Sequence, residues 1–161
     1  MSRTTERKPP PGYVQQDGET IWLDSDLIEA RSRTCLGLIR DLTADPAGES
    51  ALVLAREYRG KFALDFAYEE WASPFRVGLH ASYLRVIERA VRLDIDSGNL
   101  ARGVLLAERA SEVEPDSEEL QFSLVRIYRL GGAHAAAAEQ YAHYSRAMRD
   151  LGVEPREFSD I

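Results

Sequence analysis

Hydrophobic residues recur along most of the chain at the spacing of one helix face. From Leu27 to Leu42 they return every three or four positions, which predicts a first amphipathic helix. Asp26 followed by Glu29 is typical of a capping box at the start of such a helix. Cys35 lies on the apolar face of this helix, so we expect a core cysteine rather than a reactive thiol.

Start and stop signals divide the rest of the chain into five further helices. Asp45-Pro46 predicts the start of a helix that runs to about Tyr58, and Arg59-Gly60 predicts its end. Residues 61–70 have no clean period and are expected to form a packed loop. The other predicted helices run from Ser73-Pro74 to Gly98-Asn99, from Leu100 to Val113, from an Asp116 cap to Gly131-Gly132, and from Ala133 to Leu151.

Residues 12–23 carry the only strand signal that the pattern offers. Asp17-Gly18 separates two short extended pieces and predicts a hairpin turn. Two strands are not stable alone, so we expect them to pack on the helices or on something outside this chain. The fold class predicted from the whole pattern is therefore all-α.

The helical region contains an internal repeat. Gly98 and Gly132 lie 34 residues apart, which is the period of a tetratricopeptide helix pair. Five residues after each glycine comes a small residue, Gly103 or Ala137, as close helix packing requires. Pro115 stands where such a repeat usually stops. These positions predict an all-α, tetratricopeptide-like helical solenoid of about six helices with a short N-terminal β-hairpin.

The predicted units span residues 84–115 and 118–149. Tyr128 occupies the position where the repeat places an aromatic residue, whereas the first unit has Asp94 there. The alternative is four unrelated helices with similar turns. We expect the helix pairs to be held together by a structural core of Trp71, Leu79, Tyr83 and Tyr128.

The first helix of each unit should line the concave face of the solenoid. On this register, five residues form a candidate partner-binding groove: Arg85, Arg92, Phe122, Arg126 and Arg129. Forked guanidinium groups could hold an acidic peptide there. The alternative is a solvated helix face with ion pairs between neighbouring turns.

Length, charge and cysteine content narrow the class of protein. The 161 residues fit one domain, and the formal net charge of −7 argues against a chain that wraps DNA by itself. The N-terminus lacks the apolar core of a signal peptide, and no apolar run approaches the length of a membrane span. A single cysteine excludes a disulfide framework and fits a reducing, cytoplasmic setting.

No set of residues at catalytic or metal-binding spacing stands out. His80, His134 and His143 lack the spacing of a metal-binding pair on a helix and are expected at the surface. Glu69-Glu70 could suggest an acid and a base, but adjacent loop residues usually point apart. We therefore expect no enzyme activity, no metal and no cofactor, and a role in binding or assembly.

Several motifs follow one another in a fixed order along the chain: Tyr58-Arg59-Gly60-Lys61-Phe62, Glu70-Trp71, Arg76, Leu79, the two repeat units, and Leu151-Gly152-Val153-Glu154-Pro155. Their order and spacing resemble the bacterial transcriptional activator domain of the actinobacterial antibiotic regulatory protein family. The resemblance covers roughly residues 12–155. Residues 8–14 resemble the junction at which the winged helix-turn-helix of that family ends.

The resemblance implies a domain of a transcriptional regulator that acts by oligomerisation or by contact with the transcription machinery. Expected partners are a second copy, RNA polymerase or another regulator. DNA would be bound only through a missing or separate winged-helix domain. Residues 1–11 would be a disordered lead-in or linker, residues 12–155 the domain and residues 156–161 a tail. The alternative is a tetratricopeptide adaptor that binds an acidic peptide and has no role in transcription.

Overall fold

The computed structural model describes residues 14–23, 30–46, 49–66 and 68–160, and in these residues the fold is all-α with one small hairpin. This confirms the predicted fold class. The elements are β1 (Val14–Asp17), β2 (Thr20–Leu23), α1 (Arg31–Ala44), α2 (Ser50–Glu57), α3 (Ser73–Ser97), α4 (Leu100–Val113), α5 (Glu118–Leu130) and α6 (His134–Asp150). Short 3₁₀ turns occur at Leu64–Phe66 and Phe158–Asp160.

Two predicted helix starts are wrong, each for a local reason. Asp45 ends α1 instead of beginning α2, because its backbone N–H donates to the Asp41 carbonyl oxygen at 2.8 Å. At α5 the cap is Ser117 rather than Asp116, since its hydroxyl accepts from the Leu120 N–H at 3.3 Å. The capping box predicted at Asp26 lies outside the described residues.

The turns after α3 and α5 have the same geometry. Gly98 and Gly132 both have φ of 75°, a left-handed conformation that glycine adopts without steric cost. In each turn the next N–H bonds a carbonyl five residues back at 2.8 Å: Asn99 to Asp94, and Ala133 to Tyr128. The repeated glycines therefore place both helix pairs in similar hairpins.

The helices from α3 onward pack in chain order, α3 on α4, α4 on α5 and α5 on α6, while α1 and α2 cover α3 and α4. At Gly103 an added Cβ would lie 3.2 Å from the Ile127 side chain, so a larger residue would have to displace that side chain where α4 packs on α5. Ala137 is fully buried between α5 and α6. The small residues of the repeat thus lie at close helix contacts.

Asp94, the departure from the repeat, belongs to a buried ion pair. It is 1% exposed, and the Arg102 Nε lies 3.0 and 2.9 Å from its two carboxylate oxygens. One period later, Tyr128 and Ala136 occupy the equivalent positions. The first helix pair thus has an ion pair where the second helix pair has a tyrosine and an alanine.

Three of the four predicted core residues pack in or against the core, and one does not. Leu79 is 4% exposed and Tyr83 is fully buried, while Tyr128 packs partly buried against the cluster. Trp71 is 64% exposed, so its prediction as a core residue is wrong. It stands in the turn before α3, where the neighbouring Ala72 takes the buried position.

The predicted hairpin is present, with its turn one residue later than expected. Val14 pairs with Leu23 and Asp17 with Thr20, so the loop consists of Gly18-Glu19 rather than Asp17-Gly18. Gly18 has φ of 58°, which suits the first loop position of a two-residue turn.

Candidate interaction surface

The predicted groove residues come from two helices, with Arg85 and Arg92 on α3 and Phe122, Arg126 and Arg129 on α5. Within the described chain Arg85 is exposed and forms no ion pair. Three other arginines contact residues of the same chain: Arg92 Nη1 is 3.2 Å from Glu119, Arg126 Nη2 is 4.0 Å from Asp96, and Arg129 Nη1 donates to the Phe158 carbonyl at 3.0 Å.

The chain beyond α6 turns back onto α5 and α6, and we call residues 153–160 the return segment. The turn lies at Gly152, which has φ of 74°, and the Val153 N–H donates to the Met148 carbonyl at 2.8 Å. The end of this segment was predicted only as a tail. Its location on α5 and α6 could not be predicted, because nothing in its own sequence specifies the surface on which it lies.

Arg156 is the central contact of the return segment. Its Nε lies 2.9 Å from Glu118 Oε1, and its Nη2 lies 3.5 Å from Glu119 Oε2. Its guanidinium carbon is 4.6 Å from the centre of the Phe122 ring, a cation–π distance. Two carboxylates and one aromatic face of α5 thus surround a single guanidinium.

Two tyrosines of α6 hold the backbone of the segment at the same residue. The Arg156 N–H donates to the Tyr144 hydroxyl at 2.8 Å, and the Tyr141 hydroxyl donates to the Arg156 carbonyl at 2.9 Å. The Tyr144 hydroxyl in turn donates to Glu118 at 3.2 Å. Burial raises the pKa of Tyr144, and the neighbouring Glu118 carboxylate raises it further, so the hydroxyl keeps the proton that it donates.

Phe158 makes the second side-chain contact of the segment. Its ring meets Tyr141 edge-on at 5.0 Å between centroids, and the Arg129 guanidinium lies 5.1 Å from the ring centre. Arg129 and Phe122 of the predicted groove therefore contact the return segment. In this structure the α5–α6 face presents carboxylates to a bound arginine, whereas the sequence suggested arginines presented to a bound acid.

A polar cluster that the sequence did not reveal lies where α2, α3 and α4 meet. The His80 ring bridges two groups, with Nδ1 3.0 Å from the Tyr58 hydroxyl and Nε2 2.8 Å from Glu114 Oε2. Lys61 Nζ is 3.2 Å from the same carboxylate oxygen. Burial alone would raise the pKa of Glu114, but the bonds from Lys61 and His80 outweigh it and lower that pKa.

His80 was predicted at the surface, but its side chain is only 12% exposed. The cluster joins three separate segments of the chain, residues 58–61, His80 and Glu114, so no local spacing could have indicated it. Nearby, a cavity of about 250 Å³ is lined by Cys35, Tyr58 and Leu79, among others. Burial, followed by the Glu57 carboxylate, raises the pKa of the Cys35 thiol, which is the opposite of the environment that activates a cysteine.

The described ranges hold neither a candidate metal site nor a helix that could span a membrane. No three histidine, cysteine, aspartate or glutamate side chains lie together as metal ligands in the part of the chain that the structure covers. None of its described helices is both long and apolar enough to cross a bilayer.

Comparison with known families supplies the identity of the domain. The family model of the bacterial transcriptional activator domain matches residues 23–158, from the last residue of β2 to the Phe158 contact of the return segment. Comparison with curated proteins gives no match, and comparison with solved structures gives none either. Of the described residues, the matched range covers all six α-helices, the turns at Gly98 and Gly132, and most of the return segment. The chain belongs to the bacterial transcriptional activator domain family.

Proposed function

We propose that this chain is a non-catalytic interaction domain that regulates transcription through contact with another protomer, RNA polymerase or another regulator. The observation that carries the proposal is the family match over residues 23–158. DNA would then be contacted through a separate winged-helix domain. The net charge of −7 supports this division, because phosphate contacts require a basic surface.

The α3–α5 arginines are the surface that we assign to the partner. The side chains of Arg92 and Arg126 are 51% and 45% exposed, and Arg85 is also exposed. Ion pairs at such exposure are individually weak, at about 0 to 1 kcal/mol. These guanidinium groups can therefore exchange their present partners for carboxylates of another protein at little cost.

A tethering experiment tests the proposal. The full chain is fused to an unrelated DNA-binding domain, whose site is placed upstream of a weak promoter in a bacterial reporter strain. We expect transcription to rise several-fold above that of the DNA-binding domain alone, because the fusion brings the interaction surface to the promoter. Absence of a rise at equal protein level would contradict activation by this domain.

Two variants locate the surface within that experiment. Arg85→Ala with Arg126→Ala should lower reporter activity, since both side chains belong to the α3–α5 face. Arg109→Ala with Arg146→Ala is the matched control, because it also removes two exposed arginines, from α4 and α6. Equal loss in both pairs would mean that overall charge, rather than this face, matters.

The assignment of DNA reading to a separate domain has its own test. A gel shift with duplex DNA at about physiological salt should show no sequence-specific complex with the chain alone. A specific complex would overturn that assignment.

The adaptor alternative remains a second candidate, favoured by the exposed arginines of the α3–α5 face. It predicts binding of an acidic peptide that weakens in Arg85→Ala with Arg126→Ala, together with a silent reporter.

A further inference from the structure

We propose that the α5–α6 face beneath the return segment is a binding site for a peptide of another protein that carries an arginine and, two residues later, an aromatic ring. The chain's own Arg156-Glu157-Phe158 occupies this site in cis. The inference deepens the proposed function, since it rests on the view that this domain works by binding other proteins, and it names the chemistry of one such ligand.

The arginine subsite is specific for a guanidinium. Glu118 and Glu119 approach Arg156 from successive positions of α5, at 2.9 and 3.5 Å, and Phe122 offers its ring face at 4.6 Å. A planar group with several N–H donors can satisfy both carboxylates and stack on the ring at once, whereas a lysine ammonium cannot do all three. We therefore expect arginine to be required at this position.

The second subsite recognises an aromatic ring and the ligand backbone. Tyr141 and Arg129 contact the Phe158 ring, at 5.0 and 5.1 Å. Three side chains of the domain bond backbone groups of residues 156 and 158: the Tyr141, Tyr144 and Arg129 side chains. Since every peptide offers these backbone groups, the site can accept a segment from another chain.

The return segment is attached weakly enough that a peptide of another protein can replace it. Within the described residues, its one backbone-to-backbone hydrogen bond to a helix is that of Val153 to Met148. The Arg156 side chain is 43% exposed and Phe158 is 39% exposed, so water reaches both contacts. Because the return segment is tethered, it competes at an effective concentration of about millimolar. A separate peptide must therefore bind more tightly than this segment, or bind when the segment has detached.

The test uses the full chain with Arg156→Ala and Phe158→Ala, which removes both side-chain contacts of the segment. The probe is a fluorescein-labelled synthetic peptide with the sequence of residues 153–160, followed by fluorescence anisotropy. We expect this released variant to bind the probe at least about tenfold more tightly than the unchanged chain, because its own segment no longer competes. Probes with Arg156→Lys or Phe158→Ala should bind several-fold more weakly.

Variants of the arginine subsite, made in the chain that also carries Arg156→Ala and Phe158→Ala, are compared with a matched control. Glu118→Gln with Glu119→Gln should abolish probe binding, because both partners of the guanidinium lose their charge. Glu69→Gln with Glu70→Gln removes an adjacent carboxylate pair that is exposed and lies outside the site, before α3, and should leave binding unchanged. Equal weakening in both pairs would overturn the assigned subsite.

Other outcomes also decide the proposal. If the released variant keeps its helical circular dichroism but does not bind the probe, or if the unchanged chain binds it equally well, the proposal is wrong. If the released variant unfolds, excess unlabelled probe is added to the unchanged chain, and amide NMR shifts confined to α5, α6 and residues 153–160 would support displacement, whereas no shifts would overturn it.

Light scattering on the unchanged chain addresses a second copy as the occupant. Dimers that disappear in Glu118→Gln with Glu119→Gln would assign the site to exchange between copies and would overturn a partner of another kind. The binding assays need no promoter, so a silent reporter with strong probe binding would reject only the transcriptional role.

Discussion

At the scale of single residues, Tyr83 and Trp71 are both large aromatic side chains, but Tyr83 is buried and Trp71 is exposed. Tyr83 has no exposed surface and stacks on Tyr58 with ring centroids 4.0 Å apart. Its buried hydroxyl has no hydrogen-bond partner in the described part of the chain. Trp71, in the turn before α3, stands largely in water. Apolar content predicted both as core residues, but only the path of the chain before α3 decides which side chain points inward.

We expect Tyr83→Ala to lower the free energy of unfolding by about 3 to 5 kcal/mol, through the cavity that it opens. Trp71→Ala should cost less than about 1 kcal/mol, as most exposed substitutions do. Tyr83→Phe is the control and should be neutral or slightly stabilising, because it removes an unpaired buried hydroxyl. Urea denaturation measures all three, and a large loss in Trp71→Ala would contradict the exposed position.

Glu114 links local charge to the pH dependence of stability. Its pKa is lowered in the folded chain despite burial, by bonds from Lys61 and His80. A carboxyl with a lowered folded pKa stabilises above its unfolded pKa and loses that contribution as the pH falls through its folded pKa. Wild type should therefore exceed Glu114→Gln in stability near pH 6, by about 1 to 2 kcal/mol, and the difference should shrink toward pH 3. Urea midpoints measured across this range test it, and a constant difference would be the contrary result.

At the scale of elements, helix ends marked by glycine or proline could be predicted, and some helix starts could not. Gly98 and Gly132 end α3 and α5 as the repeat indicated, because few residues other than glycine adopt the left-handed conformation of these turns. Asp45-Pro46 had the chemistry of a helix start, but its backbone completes α1 instead. The groove arginines could be placed on α3 and α5 from helical register. The return segment and the His80 cluster could not be foreseen, since each joins residues distant in sequence.

Paired glycine substitutions test the turn geometry. Gly98→Ala should destabilise the chain by about 1 to 2 kcal/mol, since φ of 75° is strained for alanine. Gly78→Ala within α3 meets no atom within 4 Å and should stabilise by up to about 1 kcal/mol, through helix propensity. Thermal unfolding compares the two, and similar signs would contradict the assigned conformations.

At the scale of the whole molecule, each helix from α3 onward depends mainly on its neighbours. In the described chain α6 packs on α5, whereas α1 and α2 pack with each other and with α3 and α4. In such an arrangement stability is approximately a sum of units and nearest-neighbour interfaces. A defect at one end should therefore stay near that end.

Met148→Ala tests this locality. Met148 on α6 is 1% exposed, and its truncation to alanine should lower the free energy of unfolding by about 2 to 5 kcal/mol. Hydrogen exchange should accelerate in α5 and α6 while amides of α1 to α3 keep their protection. Uniform acceleration along the chain would show that the six helices unfold as one cooperative unit.

Cys35 gives the molecule a practical property. It is the only cysteine of the chain, it is 2% exposed, and burial raises the pKa of its thiol. Reagents that attack thiolates at neutral pH will therefore modify it slowly. Ser159→Cys adds an accessible thiol on the return segment, so a fluorophore or spin label can be attached there selectively while the native cysteine is kept. The movement of residues 153–160 could then be followed by spectroscopy in an otherwise unaltered chain.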